Sequence, residues 1–243
     1  VLTFNGEIYN YRELREELIA KGHVFTTHSD SEVLIHGFEE WQEDLLNRLR
    51  GMFGFAIWNR VKKELFIARD FFGIKPMHYA MVGDNFVYGS ELKSILEFPG
   101  FEKKFNYRTL DNYLSFQYAV PPETFFEGVY CLMPAHYLWY CDGKITTTRY
   151  WESKFEPDES MTEEQAVNDI AAVFEDSVNT HKISDVEVGC FLSSGVDSSY
   201  VSTYFADQKT FTVGFDFGLK YNEISWAQRL SEKIGVDHHY KII

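Results

Sequence analysis

Apolar positions change their period along this chain, and each change marks an element. Phe53, Phe55 and Ile57 alternate with Gly54, Ala56 and Trp58, the two-residue repeat of a strand, and Glu64 to Ala68 follows as its hairpin partner. Leu14, Leu18 and Ile19 recur instead at helical spacing, with Gly22 as the stop. Val33, Leu34, Ile35 and Phe38 form the next helical face, opened by Ser29 and Glu32 at capping-box spacing. Spacing alone favours capping over ligand binding there. Val1 to Phe4 reads as a strand and Leu45 to Gly51 as a short helix ended by its glycine. Strands from His78 to Val82 and Phe86 to Gly89 follow a Gly/Pro-punctuated loop, residues 69–76, and helices from Leu92 to Phe98 and Thr109 to Phe116 come next. Asp142-Gly143, between strands Ala135 to Tyr140 and Ile145 to Tyr150, is a hairpin signal.

Beyond Tyr150 the pattern changes character. Residues 151–161 are acidic, carry Pro157 and lack periodicity, which marks a linker. Thr162 and Gln165 then open a long helix whose Ala166, Ile170, Val173, Phe174 and Val178 predict a face packed on a sheet. A strand from Val186 to Phe191, a helix from Ser199 to Ala206 ending near Asp207, a buried strand from Thr210 to Phe215, a helix from Glu223 to Ile234 and a strand from Asp237 to Ile242 follow. This alternation is that of a parallel sheet. Two domains are therefore expected, 1–150 and 162–243, the first α+β with antiparallel sheets and flanking helices, the second the start of an α/β domain.

With 45% hydrophobic and 17% aromatic residues the chain has ample core material, which excludes a disordered chain. No apolar run reaches the length of a membrane span and the first residues lack a signal-like pattern, so the expectation is a cytoplasmic protein without a membrane partner. A net charge of −14 speaks against a nucleic-acid surface. Cys131, Cys141 and Cys190 are too few and too scattered for a disulfide framework or a zinc site. Both ends read as strand interiors, so an internal fragment is expected.

Two stretches carry candidate chemistry. From Leu192 to Ser199 a strand runs into a loop of serines and one glycine that opens a helix, where backbone N–H groups lack intrahelical partners and favour phosphate. Ser193, Ser194, Ser198 and Ser199 add hydroxyl donors, whereas Asp197 would repel a phosphate unless Mg²⁺ lay between them. Without Gly-Lys-Ser/Thr it is not a Walker A loop, and an ordinary serine-rich helix cap is an equal reading. Earlier, the Asn5 amide beside the Gly6 N–H offers two converging donors, as an oxyanion requires during acyl transfer. A hairpin turn is the weaker alternative.

Leu192 to Ser199 resembles the pyrophosphate loop of the N-type ATP pyrophosphatases, and the run from Ser184 to Ser199 resembles asparagine synthetases. Asn5-Gly6-Glu7-Ile8-Tyr9-Asn10, Ser29-Asp30-Ser31-Glu32, Gly51-Met52-Phe53, Arg69-Asp70 with Gly73-Ile74-Lys75-Pro76, and Ser90-Glu91 with Lys93 together resemble the glutaminase domain of class II glutamine amidotransferases, an Ntn-type fold. The resemblance implies that Asn5 and Gly6 form an oxyanion hole and that Glu7 and Asp30 hold the amino-acid end of glutamine. Arg69 and Asp70 read as a structural ion pair. It implies further that Ser193, Ser194, Gly195, Asp197 and Ser198 bind the pyrophosphate of ATP, with Asp197 on Mg²⁺, and that Leu192 and Val213 line the adenine pocket; plain core is the alternative for these two. The implied reaction is ATP-dependent amidation of aspartate, or of another carboxylate acceptor, through an acyl-adenylate, with ammonia from glutamine. A homodimer is compatible with the resemblance. The family's nucleophile is an amino-terminal cysteine, which no cysteine of this chain matches, so the chain alone is expected to be inactive. A non-catalytic binding fragment is the rival from another class.

Overall fold

The computed structural model describes residues 1–205, 208–215 and 222–243, which divide into two compact units, Val1–Phe155 and Glu156–Ile243. In the first unit the order is β1 (Leu2–Ile8), α1 (Tyr11–Ala20), α2 (Asp30–Trp41), a 3₁₀ turn (Gln42–Asn47), β2 (Gly51–Asn59), β3 (Glu64–Arg69), β4 (His78–Val82), β5 (Asn85–Gly89), α3 (Leu92–Leu96), α4 (Tyr107–Phe116), β6 (Val129–Cys131), β7 (His136–Cys141) and β8 (Lys144–Arg149). All pairings are antiparallel, in one sheet ordered β1-β2-β3-β7-β8 and a second ordered β5-β4-β6.

Alternation decides which layer each face of the larger sheet meets. Phe53, Phe55 and Phe66, all fully buried, pack with Leu14, Leu18, Val33, Leu34 and Phe38 of the two helices. Burial of each such ring contributes about 2–3 kcal/mol. Ala56, Ile67 and Leu138 point the other way, onto Met77, Leu132 and the aromatic side chains Tyr79, Phe86 and Tyr88 of the smaller sheet. The unit is thus a helix layer, a sheet and a second sheet, as the expected α+β class requires.

Sequence reading misplaces two elements here. Gly51 ends no helix; it opens β2 opposite Ile8, and a Cβ there would lie 2.2 Å from the Glu7 carbonyl oxygen. β1 likewise runs through Asn5-Gly6-Glu7 to Ile8 instead of stopping at Phe4, because β2 supplies the matching edge. At Gly6 an added Cβ would meet the Met52 carbonyl oxygen at 2.1 Å. Two glycines on opposite strands therefore leave each strand's carbonyl oxygen room that a Cβ would fill.

Arg69 and Asp70 are not paired with each other. Asp70, 1% exposed, accepts backbone N–H groups from Phe53 (3.2 Å) and Lys75 (2.9 Å) on Oδ2 and from Phe72 (3.2 Å) and Ile74 (2.8 Å) on Oδ1. Arg69 donates to the carbonyls of Lys75 (2.7 Å), Gly73 (2.8 Å) and Leu132 (2.7 Å), and to Cys131 Sγ (3.1 Å). Each charge is satisfied by main chain, and between them they shape the loop that the Gly/Pro pattern marks. Gly73, at φ +68°, leaves no room for a Cβ beside Pro134 and the guanidinium. Tyr150 donates to the Arg69 carbonyl at 2.8 Å, and its hydroxyl pKa is raised by burial and by Asp70.

The second unit comprises α5 (Glu163–His181), β9 (Cys190–Phe191), α6 (Val196–Thr203), β10 (Lys209–Gly214), α7 (Ile224–Ile234) and β11 (Asp237–Ile242), with a parallel sheet ordered β11-β10-β9. The strand expected from Val186 is only two residues long, and α6 starts three residues earlier than expected; its expected stop near Asp207 lies outside the described residues. β10 alternates instead of being buried throughout. Thr210, Thr212 and Gly214 face inward, while Phe211 and Val213 are 41% and 45% exposed, since α7 covers one face of the strand. The capping box of Thr162 and Gln165 forms, but the α5 positions Val167, Ile170 and Val173 are exposed. Phe174 packs on Tyr200 of α6 instead, with ring centroids 4.6 Å apart. Among the described residues no helix is long and apolar enough to cross a membrane.

Two substitutions test the first unit. Gly51→Ala should destabilise it by about 1–3 kcal/mol, the usual range for overpacking. Asp70→Asn should lose about 2–4 kcal/mol, because an amide NH₂ would face backbone N–H donors that now meet a carboxylate oxygen. Urea unfolding followed by tryptophan fluorescence reads both, since Trp41, Trp58, Trp139 and Trp151 all lie in this unit. A loss below about 0.5 kcal/mol for either, the scatter of neutral surface substitutions, would contradict its argument.

Candidate functional site

Strand periodicity puts Thr3, Asn5 and Glu7 on the face of β1 turned towards the smaller sheet, opposite the face that carries Phe4 and Ile8 into the helical layer. Thr3 Oγ1 lies 3.1 Å from the Tyr88 hydroxyl, and Asn5 Nδ2 donates to Ser90 Oγ at 3.0 Å. An open cleft of about 300 Å³ lies here, lined by Thr3, Phe4, Asn5, Gly54, Met77 and Ser90 among others. His78, half-buried, keeps Nδ1 3.1 Å from the Ser90 carbonyl oxygen, and burial lowers its pKa. Asn5 is opposite Gly54 and Gly6 opposite Phe53, so the Asn-Gly pair sits in regular strand and not in a turn.

Asp30 is the first residue of α2 and reaches the end of the same strand, where its Oδ2 accepts the Ile8 N–H at 3.0 Å. The structure thus brings Asp30 to the residue next to Glu7, although 22 positions separate Asp30 from Ile8. Glu7 in turn acts on Tyr9, whose pKa is raised by burial and then by that carboxylate. The capping box expected at Ser29 and Glu32 does not form, although Ser29 is the N-cap. Ser29 accepts from the Ser31 N–H at 3.2 Å, whereas Glu32 turns back to the preceding loop and accepts both backbone and hydroxyl donors of Thr26 and Thr27. Hydrogen bonding, first from the Thr27 hydroxyl, holds the Glu32 carboxyl at about 2. Glu32 thereby fixes the approach to Asp30.

In the second unit the loop from Leu192 to Ser198 lies between β9 and α6. Leu192, 2% exposed, donates its N–H to the Phe211 carbonyl at 2.9 Å and accepts the Thr212 hydroxyl at 2.6 Å. Ser193 and Ser198 tie their hydroxyls together at 2.7 Å; Ser198 Oγ also accepts the Ser193 N–H at 3.1 Å, and Ser193 Oγ accepts the Gly195 N–H at 3.1 Å. Ser194 donates its hydroxyl to Glu223, the N-cap residue of α7. Gly195 is the N-cap of α6 and supplies no side chain to cap the first-turn N–H groups, and Asp197 lies exposed in that turn. Val213 is half-exposed on β10. The serines that sequence reading takes as ligand donors are thus largely the loop's own bracing, and the uncapped amides are the donors left for an anion.

Ser90 and Glu223 had no role assigned from sequence. Ser90 meets Asn5 across 85 positions, a distance that no local spacing signals; Glu223 carried only the start of a helix.

Residues 1–151 match the glutamine amidotransferase domain family and residues 169–243 the asparagine synthase family. The chain is 38% identical to asparagine synthetase [glutamine-hydrolyzing] 1 of Bacillus subtilis, an alignment covering 100% of this chain and 39% of that protein. It is 30% identical to the amidase chyE of Penicillium rubens, over 97% of this chain and 38% of the relative. Among solved structures, glutamine phosphoribosylpyrophosphate amidotransferase from B. subtilis aligns with a TM-score of 0.43 and 18% identity, covering 98% of this chain and 45% of that one. The chain spans about two fifths of the length of the relatives it matches. With the match covering residues 1–151, well over half its length, the chain belongs to the glutamine amidotransferase domain family.

Proposed function

We propose that this chain is part of an enzyme that makes an amide from a carboxylate acceptor, with glutamine as nitrogen donor and ATP as the source of activation, and that the acceptor is aspartate. The observation that carries this is the separation of two sites of complementary chemistry into two compact units, one with a carboxylate-lined strand end and one with an uncapped helix N-terminus. In the first, Glu7 and Asp30 hold the α-ammonium of glutamine, since a cation in a concave site needs charge-assisted acceptors. The Asn5 amide and the Gly6 N–H receive the developing oxyanion, with Ser90 orienting the amide. The family's nucleophile is an amino-terminal cysteine, a place that none of Cys131, Cys141 and Cys190 takes; desolvation moreover raises the thiol pKa of each.

In the second unit, the first-turn amides of α6 and the braced Ser193–Ser198 loop suit the pyrophosphate of ATP, and Leu192 and Val213 flank its base. Asp197 would hold Mg²⁺, which neutralises phosphate charge when bound. The fit is in the donor set: exposed N–H groups at a helix start, next to one carboxylate that a phosphate alone would not tolerate. Acceptor choice is not set by these residues, and the similarity to an amidase favours, as a second reading, the same machinery acting on a different carboxylate. The proposed setting is the cytoplasm.

Mutation separates the two sites. In the full-length enzyme, Asp30→Ala removes a charge-assisted hydrogen bond of about 1.5–3 kcal/mol, so glutamine-dependent synthesis should fall at least about tenfold while ammonia-dependent synthesis survives. Asp197→Ala should abolish synthesis from either nitrogen source and leave glutamine hydrolysis in place. AMP and amide product, measured with each source, decide the matter. Loss of ammonia-dependent synthesis in folded Asp30→Ala would refute the two-site reading.

A further inference from the structure

A second cluster lies on the outer side of α1 and α2, in residues that the proposed reaction does not use. His23 is placed there by the end of α1: its N–H bonds the Leu18 carbonyl at 3.0 Å and the Gly22 N–H bonds that of Ile19 at 2.9 Å. This is a Schellman ending, and Gly22, at φ +99°, is the residue that permits it. His36 and Glu39 share one face of α2 at a spacing of three. Phe25 packs on the His36 ring with centroids 4.6 Å apart, fixing its plane.

The ligand atoms converge. His23 Nδ1 and His36 Nδ1 are 3.3 Å apart, and Glu39 Oε2 lies 3.4 Å from His36 Nδ1 and 3.9 Å from His23 Nδ1. Metal–ligand arms of about 2.0–2.1 Å in a tetrahedron place neighbouring ligand atoms about 3.3–3.4 Å apart. Each ring's other nitrogen faces a further carboxylate: His23 Nε2 is 3.3 Å from Glu40, itself 2.9 Å from Lys21, and His36 Nε2 is 3.6 Å from Glu32. With each Nε2 carrying its proton towards that carboxylate, both Nδ1 lone pairs and a Glu39 oxygen point at one another. A single proton can bridge only two of these three acceptors, whereas a cation at their centre satisfies all three. Carboxylates behind metal-bound imidazoles are the arrangement that fixes tautomer and raises ligand basicity.

We propose that His23, His36 and Glu39 form a binding site for one divalent transition-metal ion of the zinc class, with Glu40 and Glu32 as its outer carboxylates. Two imidazoles and a carboxylate suit Zn²⁺ in preference to Mg²⁺ or Ca²⁺, which take oxygen ligands. The histidine side chains are 16% and 18% exposed and Glu39 is 62% exposed, so the ion enters from solvent and keeps an outward position for water.

The test uses the 243-residue chain, stripped with a chelator and titrated with Zn²⁺ by calorimetry. One equivalent should bind, with affinity at least about tenfold lower in His36→Ala and in Glu39→Gln, and about tenfold lower in Glu40→Gln. The exposed Glu39 makes the second variant safe for folding, and far-UV circular dichroism checks the others. Co²⁺ substituted for Zn²⁺ should give the intense visible absorption of a tetrahedral site. Equal Zn²⁺ affinity in the parent and in the folded His23→Ala, His36→Ala double variant would overturn the proposal. So would binding that disappears in His239→Ala, which removes the other region of adjacent histidines.

Discussion

A buried carboxylate that accepts four backbone N–H groups, next to a buried guanidinium that donates to three carbonyls, holds the first unit together at the end of β3. Neither charge would be stable there as a bare ion, because desolvation of each costs several kcal/mol. Satisfying them by main chain, and not by each other, fixes the path of three separate segments: β2 through Phe53, the loop from Phe72 to Lys75, and the approach to β7 through Leu132 and through Ala135, whose N–H bonds the Asp70 carbonyl at 2.9 Å. Tyr150 adds a fourth through its bond to Arg69.

That node reaches the candidate glutamine site through β2. Phe53 is opposite Gly6, and Gly54 is opposite both Asn5 and Arg69, so the strand that Asp70 fixes is the one against which the Asn-Gly pair is laid. The glycines at 6 and 51 allow that strand to come close, since each faces a carbonyl oxygen that a Cβ would strike. Side-chain direction then follows from the pleat alone: Asn5 and Glu7 emerge on one face, and α2 delivers Asp30 to the strand's end.

What was legible in the sequence was periodicity. Phe53 to Trp58, the hairpin at Asp142-Gly143 and the Thr162–Gln165 box all form as read, because local pattern and tertiary contact agree there. The failures share a cause, which is that distant main chain overrides local signal. Gly51 reads as a helix stop from its neighbours, yet its reason is the Glu7 carbonyl 44 positions away. Arg69 and Asp70 read as a pair because they are adjacent, although each is satisfied elsewhere. Ser29 and Glu32 have the spacing of a reciprocal cap, but the Thr26 and Thr27 donors compete successfully for the carboxylate. On β10 the apolar letters at Phe211 and Val213 suggest burial on both faces, while a three-stranded sheet with α7 on one side buries the threonines instead.

Two of the three helix starts described in the second unit, at α5 and α6, both carry hydroxyl side chains and use them in opposite ways. At α5, Thr162 caps the Gln165 N–H at 3.2 Å and Gln165 accepts the Thr162 N–H at 2.9 Å, so side chains satisfy two N–H groups of that terminus. At α6 hydroxyls are just as abundant, but Ser193 and Ser198 spend theirs on each other and on the loop, and Ser194 is drawn off to Glu223. Glycine at the N-cap then leaves the first-turn amides without a side-chain acceptor. A serine-rich helix start is therefore ambiguous by composition, and what resolves it is where each hydroxyl goes: bonded inward, the serines stiffen the loop and leave the first-turn N–H groups of α6 without a side-chain acceptor.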